Sequence, residues 1–139
     1  MLTSNIQYNA AKRAAQSLQA ALQVETDPNL SAKLVAANRS KIQRKLDNIE
    51  KDIAEFQINR ERDISKIPIN SLDDMLTAPI LYRIARNESI VEFANQTGIS
   101  KRQILRYEAE QYKNCSIATL QQIFTEIGLS IEGTVKTAV

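Results

Sequence analysis

Lys101, Arg102, Gln103 and Arg106 fall within one stretch of six residues. Lysine and arginine pair with phosphate, arginine also matches the two acceptors on a guanine edge, and glutamine pairs bidentately with adenine. On one face of one short helix, the four side chains form a probe for the edge of a duplex groove. Without a fixed mount they are an ordinary solvated face. The elements around them decide between these outcomes.

Those elements carry two helix starts and a stop. Ser89 is followed three residues later by Glu92, and Ser100 by Gln103. Each pair has the spacing of a capping box, in which the hydroxyl accepts from the third amide and the longer side chain returns to the cap amide. Gly98 between them supplies the positive φ that ends one helix and redirects the chain into the next. Two caps about ten residues apart around a glycine predict a helix-turn-helix, whose second helix enters the DNA major groove. That helix spans Ser100 to about Glu108. Ile99, Ile104 and Tyr107 are expected on its inner side with Leu105 close by, and the four polar residues outside. The free amides at its Ser100 end favour phosphate.

The run Phe93-Ala94-Asn95-Gln96-Thr97-Gly98-Ile99-Ser100, followed by Ile104, Arg106, Tyr107 and Glu108, resembles the lambda-repressor-like (XRE, or Cro/cI) helix-turn-helix family over about residues 80 to 131. The resemblance implies a compact helical domain that binds a palindromic double-stranded DNA operator as a homodimer. It places Ser100, Lys101, Arg102, Gln103, Arg106 and Lys113 at the DNA. It also implies a partly buried ion pair between Arg83 and Glu108. The sequence departs from the pattern in two regions. Ile90 stands where the family often has glutamine, and Glu110, Asn114 and Cys115 replace the usual glycine and proline after the reading helix. The wider layout is similar to bacterial regulators and HigA/HipB-like antitoxins, which implies autorepression and a toxin protein as partner.

Upstream, residues 3 to 25 read as one helix, with Ile6, Ala10, Ala14, Leu18 and Leu22 recurring every four residues and Ala11, Ala15 and Ala21 beside them in a narrow, small-residue stripe. Asp27-Pro28 is expected to cap and open a second helix running to about Arg62. Its seam of Ile42, Leu46, Ile49, Ile53, Phe56 and Arg60 alternates four and three. Folded as an antiparallel hairpin, helices of about 35 Å and 50 Å cannot match in length. The second is expected to overhang around Ile53, Phe56 and Ile58, against the following domain, a second subunit or another protein. The basic residues Arg39, Lys41, Arg44 and Lys45 read as the solvated face of this helix, with a second basic region as the alternative.

The fold expected is all-α: a hairpin over 1–63, a linker over 64–71, a helix-turn-helix domain over 72–128 and a strand or tail over 129–139. Ser71 caps the helix that opens that domain, and Pro79 is expected to interrupt it. Leu129, Ile131, Gly133 and Val135 alternate with polar residues as a short strand, for which a second copy would supply the partner. Ile131 and Val135 therefore join Ile53, Phe56 and Ile58 as candidate interface residues.

Composition narrows the function. The 139 residues include no histidine, one cysteine and three glycines. The usual parts for acid-base catalysis, zinc ligation and phosphate loops are thus missing, so no catalytic residue, metal or cofactor is expected. The lone Cys115 fits a reducing cytoplasm, and the N-terminus has no signal-peptide pattern. No apolar run approaches the length that crosses a bilayer. Between residues 73 and 128, six cations face seven anions. A DNA-binding domain with that balance needs two half-sites, a second basic region or a partner. The competing class is an assembly or adaptor protein that acts through its hairpin, with the helix-turn-helix as a packing module.

Overall fold

The computed structural model describes residues 1–138 and divides the chain into two compact units, Met1–Arg62 and the residues from Asp63 onward. All regular structure among the described residues is helical: α1 (Asn5–Gln23), α2 (Ala32–Arg60), α3 (Leu72–Ala85), α4 (Ile90–Thr97), α5 (Lys101–Ala109) and α6 (Ile117–Ile127). Each of the six begins on a serine, Ser4, Ser31, Ser71, Ser89, Ser100 and Ser116, whose side chain accepts from the amide three residues on. Serine holds this position because its short side chain reaches a first-turn amide that has no partner within the helix.

In the first unit α1 and α2 lie antiparallel. Gln57 donates to the Tyr8 hydroxyl at one end (2.8 Å), Gln19 donates to Glu50 midway (3.2 Å), and Arg39 donates to the Leu22 carbonyl at the other (3.1 Å). The buried side of α1 is only part of the expected stripe: Ala11, Ala15, Leu18 and Leu22 belong to it, and Ile6, Ala10, Ala14 and Ala21 do not. Tyr8 and Ala15 are buried and Ala11, Leu18 and Leu22 partly so, a run of alternating three and four, whereas Ile6 is 81% exposed and Ala10 and Ala14 face out. A strict four-residue period drifts around a helix of 3.6 residues per turn, so it cannot hold one face over five positions. On α2 the expected seam faces inward: Leu46 and Phe56 are buried, and Ile42, Ile49, Ile53 and Arg60 partly so.

The longer helix overhangs at the opposite end from the one expected. Phe56 is 2% exposed because Tyr8 covers it, with ring centroids 5.1 Å apart, and Arg60 lies over both rings. Ile53 is half-buried, and of that trio only Ile58 stands out in solvent, at 62% exposed. The α1 start thus meets the α2 end, and the surplus turns of α2 lie beside the connecting loop. That loop is longer than the Asp27-Pro28 cap would allow. Asp27 instead accepts from the amides of Asn29 and Leu30 and closes a turn, and α2 starts four residues later on Ser31.

In the second unit Ile80, Phe93, Ile104 and Ile123, one each from α3, α4, α5 and α6, are fully buried together with Tyr112. Pro79 does not interrupt α3 but sits inside it, buried in this core. Burial of the ring offsets the loss of one amide hydrogen bond. Four of the helices end on left-handed residues, and three of those ends close alike. At Asn87, Gln111 and Gly128 the next amide returns to a carbonyl five residues back, the closure of a Schellman cap. No strand forms among the described residues. The alternation at Leu129–Lys136 has no second strand in this chain to pair with.

Tyr112, in the loop after α5, is part of the core. Gln111 and Tyr112 both hold positive φ (53° and 60°), which turns the Tyr112 ring inward onto Tyr107, centroids 5.6 Å apart. Its hydroxyl is buried with no hydrogen-bond partner among the described residues. Burial, and then the neighbouring Glu108, hold it protonated far above the ordinary phenol range. Deleting that oxygen removes an unmet desolvation penalty, so Tyr112→Phe is expected to raise stability by about 1 kcal/mol. An upward shift of the urea midpoint at unchanged slope checks it.

Candidate nucleic-acid interface

The α4–α5 corner is built from local chemistry. Ser89 and Ser100 accept from the Glu92 and Gln103 amides at 3.1 and 3.2 Å. Only that half of each capping box forms among the described residues, which leaves the Gln103 side chain free. Gly98 ends α4 at φ 72°, ψ 16°, with its amide bonded to the Ala94 carbonyl at 3.0 Å. A residue with a Cβ is strained there whatever room surrounds it, because the left-handed region itself disfavours a side chain. One further bond closes the last turn of α4 on itself and another ties the corner to α6. The Thr97 hydroxyl donates to the Phe93 carbonyl (2.9 Å), and Gln122 of α6 donates to the Thr97 carbonyl (3.2 Å). Ile99, buried at the turn, pins the corner against the core.

Beyond it, α5 divides by angle. Ile104, Tyr107 and Glu108 are buried; Lys101, Arg102, Gln103, Leu105, Arg106 and Ala109 are exposed. At about 100° per residue, Arg102 and Arg106 lie near the centre of the outward face, with Lys101 and Gln103 at its edges. Arg106 also lies over the Tyr107 ring at 5.3 Å, which restricts the swing of its guanidinium. Leu105 belongs to this outer face, at 49% exposed, because it sits one turn beyond Lys101 and three residues beyond Arg102. It gives the polar face an apolar contact of the kind that meets a thymine methyl. Its position could have been read from the wheel. Ser100 is consumed as the cap, so its backbone end, not its hydroxyl, is available. Lys113 is exposed in the loop after α5.

Arg83 and Glu108 meet in the core. Arg83 donates from Nε to Oε2 and from Nη2 to Oε1 of Glu108, both at 2.6 Å, and from Nη1 to the Glu88 carbonyl at 2.9 Å. The side chains are only 4% and 5% exposed. The planar fork matches the carboxylate, so this pair fixes α5 against α3 in angle as well as in distance. Cys115 faces no such partner. Partial burial pushes its thiol up, against a smaller downward pull from Arg106, so it stays a protonated, weakly nucleophilic group.

A second feature of this unit is an apolar groove of about 570 Å³ lined by Met75, Ile117, Leu120, Phe124, Leu129 and Ile131 among others. Ile131 is 54% exposed at its rim, and Val135 further along the tail is fully exposed. No group of three or more His, Cys, Asp or Glu among the described residues is arranged to hold a metal ion, and no helix is long and apolar enough to cross a membrane. Comparison of the chain with protein-family models, with curated proteins and with solved structures finds no match.

Proposed function

We propose that this protein is a sequence-specific double-stranded DNA-binding regulator that reads base edges with α5. The observation that carries the reading is the exposed cluster of Lys101, Arg102, Gln103 and Arg106 on a short helix held rigidly from behind. Gly98 sets its entry, and the buried Arg83–Glu108 fork sets its roll. A face meant only for solvation needs neither constraint. A recognition face needs both, because bidentate pairing fails when the side chain is displaced by a fraction of a contact distance.

A homodimer completes the reading. The apolar groove beside α6 and the unpaired alternation of the tail fit a second copy, which would add the missing strand and bring two reading helices to a palindrome. The second unit carries eight cations against nine anions, so doubling the half-sites supplies contacts that one copy lacks.

The test is a salt titration of binding to duplexes recovered by selection from a random pool. A DNA regulator yields a preferred, two-fold symmetric sequence and an affinity that falls steeply and linearly on logarithmic axes as salt rises. A helical adaptor yields no preferred sequence, and its protein contacts barely respond to salt. Either of those two results would remove the DNA reading.

A further inference from the structure

The charges of α2 are segregated by sign along its length. From Ala32 to Lys45 that helix carries Lys33, Arg39, Lys41, Arg44 and Lys45 and no acid; from Leu46 to Glu61 it carries Asp47, Glu50, Asp52, Glu55 and Glu61 against Lys51 and Arg60. At the start of the helix Lys33 lies in the first turn, where a cation works against the macrodipole and no acid compensates it; in the last turn Arg60 is favourably placed. Lys41 and Lys45, four apart, repel across one turn. The two ion pairs among the described residues, Arg83–Glu108 and Arg86–Glu88, are elsewhere. Apart from Arg39, whose guanidinium bonds to backbone carbonyls, the cations of the basic half of α2 have no ion pair within their own unit among the described residues.

Arg39 differs from the rest. Its guanidinium donates to the carbonyls of Leu22 and Val24 and so closes the C-terminal end of α1. Lys33, Lys41, Arg44 and Lys45 make no such contact. All four are exposed; the helical angle sets Lys33, Lys41 and Arg44 away from the Val35, Ile42 and Leu46 side that faces α1, and puts Lys45 at its flank. They run along about 18 Å of helix with Ala37 and Ser40, both exposed, between them.

We infer that this stripe of α2 is a second contact surface for the nucleic-acid phosphate backbone, separate from the base-reading face of α5. The inference rests on the DNA-binding reading and deepens it. Charge complementarity selects the occupant. The second unit is slightly acidic in sum, so its reading helix brings base contacts with little net phosphate neutralisation, whereas the first unit holds ten cations against seven anions. The stripe also has no aromatic side chain, the kind of anchor that dominates protein–protein interfaces; the one aromatic of α2, Phe56, is buried against Tyr8.

The experiment compares the full-length wild type with the quadruple variant K33Q/K41Q/R44Q/K45Q on the selected duplex and on an unrelated duplex, across a range of salt. Loss of up to four phosphate contacts should reduce the slope of log affinity against log salt by about 3. It should also weaken both duplexes by the same factor, tenfold or more at low salt, while helix content by circular dichroism stays the same. An unchanged slope with wild-type DNA binding intact would overturn the inference and leave the α5 reading standing. A wild type without salt-dependent DNA binding would overturn both. Binding of polyglutamate by the wild type but not by the variant, with duplex affinity equal in the two, would assign the stripe to an acidic protein and overturn it as well.

Discussion

Glu108→Ala is expected to cost about 3–5 kcal/mol, because it leaves the Arg83 guanidinium buried without its counter-charge. That is a large share of the stability of a small domain, so the second unit should be largely unfolded at moderate temperature. The cost comes from the orphaned ion, not from the worth of the pair. Taking two charges out of water is expensive, and a well-packed apolar pair of similar volume is often as good or better. Arg83→Met combined with Glu108→Leu should therefore be much less destabilised than either single change, with an interaction energy of several kcal/mol in a double-mutant cycle by urea unfolding. If each single variant lost under about 1 kcal/mol, the pair would behave as an exposed one and the fixed roll of α5 would lose its basis. The Arg86–Glu88 contact is the internal control. Arg86 is 48% exposed, and its removal should change stability little.

Replacing Arg102 and Arg106 together by alanine should weaken binding to the selected duplex by at least about a hundredfold, since each bidentate base contact discriminates by about 1–3 kcal/mol. Both side chains project into solvent and make no hydrogen bond to the rest of the fold, so the urea midpoint should move by no more than about 0.5 kcal/mol in equivalent stability. The loss should be far larger on the selected sequence than on an unrelated one. Removing phosphate contacts on α2 would instead weaken both alike. This contrast separates base reading from backbone binding in one set of titrations.

Local signals made the α4–α5 corner legible in the sequence. Ser89, Gly98 and Ser100 act on atoms within four residues of themselves, so their geometry follows from their order in the chain. The same locality explains the Ser71 start of α3, whereas the start of α2, expected at Asp27-Pro28, falls on Ser31. Asp27 and Ser31 are both good caps four residues apart, and only the Asx turn at Asp27 shows that the helix begins at the second. What needed a partner was harder to read. In α1 the alanines at 10, 11, 14 and 15 give two almost equal stripes, and the choice between them is made by where Leu46 and Phe56 arrive from α2. The side of the overhang depended on the length of the connecting loop, which pattern alone does not fix. Tyr112 was hidden because its turn uses two successive left-handed residues, neither of them glycine. Leu105 was misplaced by about one helical position, enough to move it from the inner side of α5 to the outer.

The central claim is that α5 lies in the duplex, and amide chemical shifts measured while the selected DNA is titrated into the labelled protein test it most directly. The account predicts the largest changes from Ser100 to Arg106, with smaller ones at the start of α4 and along the basic half of α2. Changes confined to other surfaces, with the α4–α5 amides unmoved at saturation, would contradict it.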